Sequence, residues 1–368
     1  MINRVTKNID YCILGAGLAG ITLAKELSSN GVSTCVVDPY GIASGASGTP
    51  LGLVNPAGGR FASLSWRAEE CYQAVLENLQ YVSEQSQSFF FRKSGVLRPA
   101  QEEEIAEKMH RNFHEYNWPE GWISWMDEKE IKEFHPGISC VDGGVWLPVG
   151  LTVDIPTYLL NHARLLESRG VKFITGKNYQ LTNSTQKWQI SFDDGRTIEA
   201  DHIVFCIGSS IYNHSLWNTI KTHTIKGQLA VLESKAPLDF EHAISSLGYI
   251  TSLSGNEFVV GSTYEHNYDH QNPDRNGLDY LMKRFSQVFP SLAKNSTLKT
   301  QWSGVRVSTP NRMPVLGNND QVQNCSIFTG LASKGLLYSA YLAKLMSEFL
   351  IHGKALPEEV SIERFYKK

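Results

Sequence analysis

The run Tyr11-Cys12-Ile13-Leu14-Gly15-Ala16-Gly17-Leu18-Ala19-Gly20 constrains this chain more than any other stretch. An apolar segment ends in three glycines spaced Gly-x-Gly-x-x-Gly, and a helix-forming run over residues 21–27 follows at once. Gly15 permits a tight turn, Gly17 lets the backbone approach a pyrophosphate, and Gly20 lets the new helix pack closely on its strand. The start of such a helix offers unpaired N–H groups and a partial positive charge to phosphate. A second apolar run, Thr34-Cys35-Val36-Val37, closes on Asp38. That is near the roughly 20-residue spacing of a carboxylate that holds a ribose hydroxyl. Strand, glycines, helix, strand and acid in this order predict a Rossmann-like nucleotide-binding unit; the plainer alternative is a chance glycine turn.

At 368 residues the chain is long for one core, so two domains are expected. A net charge of −3 gives no global field for nucleic acid and leaves only a local basic patch as an electrostatic route to it. No apolar run is long enough to span a bilayer. The first strand is expected to begin near Ile9, leaving no room for a cleavable signal peptide. The six cysteines have no Cys-x-x-Cys spacing, and Cys12, Cys35 and Cys206 sit in apolar, strand-like runs. Reduced core thiols, a cytoplasmic location and no structural zinc or disulfide framework are the expectation.

Residues 64–86 have helical spacing, with Trp66, Cys71, Val75, Leu79 and Val82 on one face. Residues 89–97 read as one strand ending at Arg98-Pro99, residues 101–116 as an amphipathic helix, and residues 118–125 as a packed tryptophan-rich loop. A strand with flanking turns is expected over 143–150. Asp154 is placed to cap a helix reaching Gly170, and a short strand over 171–174 follows. A hairpin is expected from 188–192 and 197–200, with a separate apolar strand over 201–208. Residues 227–232, 247–252 and 257–263 read as antiparallel strands of the second domain, followed by a helix within 272–290. The chain then returns to the nucleotide unit through 301–317. A strand over 326–329 feeds Gly330-Leu331-Ala332-Ser333-Lys334-Gly335-Leu336 and a helix to Leu350, a second strand–glycine–helix unit.

The Gly15–Gly20 motif, Val36-Val37-Asp38 and the loop Ser44-Gly45-Ala46-Ser47-Gly48 together resemble the D-amino-acid oxidase (DAO) family of FAD-dependent oxidoreductases. The resemblance implies an α/β chain with an α+β second domain: a Rossmann-like FAD-binding domain of the glutathione-reductase type joined to an antiparallel-sheet substrate domain. It places residues 1–65, 140–215 and 300–368 in the FAD-binding domain and residues 66–139 and 216–299 in the substrate domain. FAD contacts are implied at Gly15, Gly17, Leu18, Ala19, Gly20, Asp38, Pro39, Ser44, Ala46, Ser47 and Gly48. Val171 falls near the adenine, with Cys206, Gly208, Gly304 and Arg306 also near the cofactor. Gly330, Ala332, Ser333, Lys334, Gly335 and Leu336 fall at the pyrimidine edge of the flavin. No cysteine matches a covalent attachment site; Cys325, ahead of the 326–329 strand, is nearest in sequence. Non-covalent FAD is therefore expected.

Trp302-Ser303-Gly304-Val305-Arg306, Asn311-Arg312-Met313-Pro314-Val315-Leu316-Gly317 and the Gly330–Leu336 loop are most similar, within the family, to the oxidase half of the bifunctional tRNA wobble-uridine (methylaminomethyl-uridine) modification enzymes. They also resemble glycine oxidases. The activity implied is oxidation of the C–N bond of a small amino acid or N-substituted glycine by hydride transfer to flavin N5. Imine hydrolysis and reoxidation by oxygen or a quinone complete it. A substrate carboxylate needs a fixed cation, and arginine's planar fork suits it best. Arg306 matches the family's carboxylate clamp; its alternative is a structural ion pair at the domain junction, which is also the reading for Arg312. Tyr249 matches a pocket position and is equally readable as a core tyrosine, with Tyr264 a nearby second candidate. Lys334 is read as stabilising negative charge on reduced flavin, against a plain loop lysine. His266 and His270 stand four apart in a loop-type sequence, so no metal site is expected. Two rival functions remain: a tRNA-modifying oxidase without its methyltransferase half, and a non-catalytic flavin-binding protein.

Overall fold

Strand Ile9–Leu14 lies at the centre of the first sheet of the computed structural model, which describes residues 9–184 and 187–366. Residues 1–8, which carry the expectation about a leader, and residues 367–368 lie outside the described residues. The central strand pairs in parallel with Thr34–Asp38 on one edge and with Thr197–Phe205 on the other. Lys172–Thr175 extends the sheet beyond Thr34–Asp38. Its residues alternate between two cores. Ile13, Val36 and Phe328 face a layer of four helices, Leu18–Ser29, Ala68–Ser86, Ile155–Ser168 and Gly335–His352. Leu14, Val37, Phe205 and Ile327 face Trp188 and Trp217 on the other side. Burial on both faces explains why these strands read as continuous apolar runs. Each fully buried leucine or phenylalanine contributes about 1.5–3 kcal/mol of transfer free energy.

The second sheet has eight strands in the order Ser296–Ser308, His223–Ser234, Glu257–Gly261, Tyr249–Ser254, Ala243–Ser245, Val96–Pro99, Gly144–Leu147 and Ser124–Met126. All neighbours are antiparallel except Ala243–Ser245 with Val96–Pro99. Helix Arg275–Val288 packs on it through Leu281, Phe285 and Val288. A small sheet of Gly52–Val54, Leu151–Val153 and Phe91–Arg92 is a third element of the fold. Residues 144–147 and 296–308 pair within the second sheet, although the expected division put 140–215 and 300–368 with the nucleotide unit.

Several local expectations need correction. Residues 89–97 form two strands, Phe91–Arg92 and Val96–Pro99, in different sheets. Gly95 between them has φ +71°, a conformation that redirects the chain. Residues 197–208 do not divide into a hairpin arm and a separate strand. Thr197–Phe205 is one strand, pairing first with Lys187–Phe192 and then with Cys325–Thr329. The expected division fell between Ala200 and Asp201, but the strand runs through, and His202 Nε2 lies 2.7 Å from Ser326 Oγ on the neighbouring strand. Helix Ala68–Ser86 starts later than expected, because Arg67 is left-handed at φ 43°. Trp66 therefore lies outside it and meets the Tyr338 ring edge-on at 6.3 Å. Cys325 is buried inside its strand rather than ahead of it. Strand Tyr179–Ser184 is polar and largely exposed, with only Tyr179 and Leu181 turned to the core, too short an alternation to mark it in the sequence. The Asp154 cap is present, its Oδ1 accepting from Thr157 N–H at 3.0 Å.

Candidate active site

The turn after Ile9–Leu14 is built for close approach. Gly15 has φ +106°, and a Cβ on Gly20 would stand 1.9 Å from the Gly15 carbonyl oxygen. Only glycine lets helix Leu18–Ser29 start this close to the strand. No side chain occupies positions 15, 17 and 20, and a Cβ at any of them would meet an atom within 3 Å. Gly17 gives this helix no side-chain cap, so its start suits a dinucleotide pyrophosphate. Ser47 Oγ accepts from Leu18 N–H at 3.1 Å, drawing the Ala46–Gly48 turn over the helix start.

Asp38 lies at the expected strand end, but its carboxylate is engaged by the backbone. Oδ2 accepts from Ala16 N–H at 2.8 Å, and Oδ1 from Tyr40 N–H at 2.9 Å and Gly41 N–H at 3.1 Å. Ser44 Oγ lies 3.4 Å from the same Oδ1. Here Asp38 ties the glycine turn to the following loop; Pro39 sits between. Val171 is buried in the helix-side core. Cys206 N–H donates to Leu14 O at 2.7 Å, which sets residues 206–208 beside Gly15, and burial raises its thiol pKa well above the ordinary value. Gly208 begins the next turn at φ +54°.

The second glycine loop meets the first. A Cβ on Gly335 would lie 3.1 Å from Leu18 Cδ1, so helices Leu18–Ser29 and Gly335–His352 begin side by side. Ala332, left-handed at φ 48°, donates its N–H to Val307 O at 3.1 Å and pins residues 330–336 to the edge strand of the second sheet. Ser333 and Leu336 lie on this loop and helix start. Lys334 is half-buried, not a plain loop lysine. Its Nζ donates to Tyr338 Oη at 3.2 Å, and burial, aided by Arg312, lowers its pKa.

On the edge strand, Gly304 faces the Ala46–Gly48 turn: a Cβ there would lie 3.1 Å from Ala46 Cα. Arg306 shares that face. Its Nη2 donates to Thr263 O at 2.8 Å and to Ser262 Oγ at 3.3 Å, and its guanidinium carbon stands 4.5 Å from the Tyr264 ring centroid. No carboxylate among the described residues pairs with it, so the ion-pair alternative is not what the structure shows. Tyr249 donates its hydroxyl to Leu51 O at 2.9 Å, and burial pushes its pKa up to about 12. Tyr264 is 56% exposed. The structure therefore gives the arginine contact to the second tyrosine candidate and a backbone tie to the first.

Sequence reasoning passed over Arg98. It is 5% exposed, and its guanidinium donates to the carbonyls of Ala57 and Gly59 and to Ser245 Oγ, without a carboxylate. Burial lowers its pKa to about 10. A strand-end arginine carries no sequence mark of burial. Across the sheet from Arg306, a polar cavity of about 530 Å³ is lined by Ser209, Tyr212, His266, Tyr268 and Asp269, among others. His270 turns away, its Nδ1 lying 3.2 Å from Asn272 O, and among the described residues no three His, Cys, Asp or Glu side chains gather as a metal site. No helix among the described residues is long and apolar enough to cross a membrane.

The profile of the family described as DAO, FAD dependent oxidoreductase, matches residues 10–349. A bifunctional protein of tRNA 5-methylaminomethyl-2-thiouridine biosynthesis from Leptospira interrogans is 25% identical over 95% of this chain and 58% of its own length. The chain thus spans little more than half of that relative. Among solved structures, glycine oxidase from Geobacillus kaustophilus superposes with a TM-score of 0.84 at 20% identity, covering 95% of this chain and 96% of the other. L-proline dehydrogenase from P. horikoshii gives 0.81 at 18% identity, covering 95% of each. These likenesses establish the fold.

Proposed function

The chain belongs to the DAO family of FAD-dependent oxidoreductases, and on that premise we propose that it oxidises the C–N bond of a small amino acid or N-substituted glycine. One observation carries this reading. Arg306 presents a guanidinium without a carboxylate partner on the sheet face that looks toward the Ala46–Gly48 turn. A charged group so placed awaits an anion, and a substrate carboxylate offers two oxygens to its fork. The first sheet and its two convergent helix starts would hold the cofactor, while the second sheet supplies the substrate wall. Bound FAD would supply the hydride acceptor, with oxygen or a quinone taking the electrons onward. Arg306 would fix the carboxylate and thereby the α-carbon, Tyr264 would back the guanidinium, and Tyr249 would hold the Leu51 backbone in place. The six free thiols support a reducing, cytoplasmic setting.

A second reading takes its support from the tRNA-biosynthesis relative: the same clamp would take the carboxymethylamino group of a modified wobble uridine in tRNA. One anaerobic experiment separates the two. The purified flavoprotein is mixed with glycine, sarcosine, D-amino acids, proline, or tRNA bearing carboxymethylaminomethyl-uridine, and flavin bleaching is followed. Bleaching by a small amine, lost in Arg306→Ala, is the expected result. Bleaching by the tRNA alone would replace the first reading with the second. Firm FAD binding without bleaching by any of them would count against both and favour a flavin-binding protein without turnover.

A further inference from the structure

Three consecutive residues of strand His223–Ser234, Lys226-Gly227-Gln228, face opposite ways across the second sheet. On one face, Gly227 leaves room for the clamp: a Cβ there would stand 2.0 Å from Arg306 Nη2. On the other, Lys226 is 1% exposed and its Nζ donates to Asp274 Oδ2 at 2.6 Å, with Glu265 Oε2 at 3.6 Å. Gln228 is wholly buried. Its Nε2 donates to Glu265 Oε1 and to Asp274 Oδ2, each at 3.0 Å, and its Oε1 accepts from Asp274 N–H at 2.8 Å. Asp274 also caps helix Arg275–Val288 through Gly277 N–H at 2.8 Å. Thr263 Oγ1 accepts from Gln228 N–H at 2.8 Å and donates to Glu265. Lys226 and Glu265 exchange backbone hydrogen bonds of 3.0 and 2.9 Å.

Segment 263–265 is thus held from the back of the sheet, while its front supplies the Thr263 carbonyl and the Tyr264 ring that seat the Arg306 guanidinium. We infer that Lys226 and Gln228, acting through Glu265 and Asp274, are positioning residues that preset Arg306 for a carboxylate ligand. Lys226 and Gln228 lie on the face of the sheet opposite Arg306. Their contribution is to remove the freedom that the clamp would otherwise lose on binding, and such preorganisation appears as affinity. Lys226 is buried while Asp274 keeps about a quarter of its side chain in water, so burying the lysine charge carries a desolvation cost that its attraction to Asp274 must offset. The pair's place behind the clamp gives it a use.

This inference rests on the carboxylate reading of Arg306, and the test keeps the two apart. Acetate is titrated into the FAD-loaded protein and the flavin absorbance change gives a dissociation constant. In the wild type acetate saturates, and in Arg306→Ala the response is lost; a wild type without a response, or one that survives Arg306→Ala, overturns the parent reading and the inference with it. Given that response, Lys226→Met and the near-isosteric Asp274→Asn weaken acetate roughly tenfold. The limiting rate of flavin reduction by a bleaching amine falls far less than the amine's affinity, a split that a general loss of folded protein would not produce. Lys226→Arg restores most of the affinity. Where Lys226→Met does not fold with FAD, Asp274→Asn decides. Wild-type acetate affinity in either folded, FAD-loaded variant overturns the inference and leaves the clamp standing.

Discussion

The guanidinium of Arg306 lies over the ring of Tyr264, 4.5 Å from its centroid, while Tyr264 as a residue remains 56% exposed. The ring face is the negative pole of the aromatic quadrupole, so this contact holds the cation without neutralising its charge. A carboxylate partner in the same place would have cancelled it. Such a contact at an exposed site is worth about 0.5–1 kcal/mol. Tyr264→Phe keeps the ring and should keep acetate affinity; Tyr264→Leu should weaken it by about two- to fivefold. Equal affinity in Tyr264→Leu and the wild type, measured by the flavin titration, would show that the ring does not seat the arginine.

The start of helix Leu18–Ser29 depends on a contact that no larger residue permits. A Cβ at position 20 would sit 1.9 Å from Gly15 O, a backbone atom that cannot swing away. Gly20→Ala must therefore push helix from strand, at an overpacking cost of about 1–3 kcal/mol, and displace the N–H groups offered to phosphate. The expected outcome is a protein purified with a small fraction of the wild-type flavin, read from the ratio of flavin to protein absorbance. Full flavin content with an unchanged unfolding midpoint would contradict the placement.

Such positions were readable because the Gly-x-Gly-x-x-Gly spacing is local, and the Gly20 demand is set by Gly15 only five residues away, although the atoms that crowd Gly15 and Gly17 come from Cys206 and Ser47. The doubly buried strands were readable too, since Ile13, Val36 and Phe328 on one side and Leu14, Val37 and Ile327 on the other leave no polar position between them. What depended on distant partners was not. That Thr197–Phe205 is one strand shows only when Cys325–Thr329, more than a hundred residues on, pairs beside Ile203–Phe205 and brings Ser326 to His202. Arg98 and Lys226 are charged residues that the tertiary fold buries, and nothing within their own strands announces it.

Buried histidines make acid the weak side of this fold. His162, on helix Ile155–Ser168, has neither ring nitrogen hydrogen-bonded, and burial lowers its pKa to about 3. Burial also lowers His202 and His242 to about 4. The unfolded value is about 6.5, so below it the unfolded chain binds protons that the native state refuses. Stability present at pH 7 is lost as pH falls from about 6.5 toward the folded values. His162 alone should remove about 2 kcal/mol between pH 7 and pH 5. Urea midpoints at the two pH values measure this, and His162→Leu should flatten the difference by that amount. An unchanged pH dependence in the variant would mean that His162 gains a proton partner on acidification.

Lys334 offers the sharpest test of the proposal that residues 330–336 face the flavin. Its Nζ has Tyr338 Oη at 3.2 Å as hydrogen-bond partner, and no carboxylate among the described residues pairs with it. Burial and the nearby Arg312 both disfavour its charge. A half-buried cation in that position gains when a ligand beside it becomes more negative, as FAD does on taking up a hydride. Removing the charge should therefore make reduction harder. Lys334→Met is expected to lower the two-electron midpoint potential by roughly 30 mV, equivalent to about 1.4 kcal/mol. Lys334→Arg should keep most of the potential, and Tyr338→Phe, which removes the hydroxyl but not the charge, should leave it close to that of the wild type. Equilibration with a reference dye under anaerobic conditions measures all three. A potential unmoved in Lys334→Met, with FAD bound in full, would show that the lysine serves the packing of residues 330–336 and that charge on the reduced cofactor is met by the helix start alone.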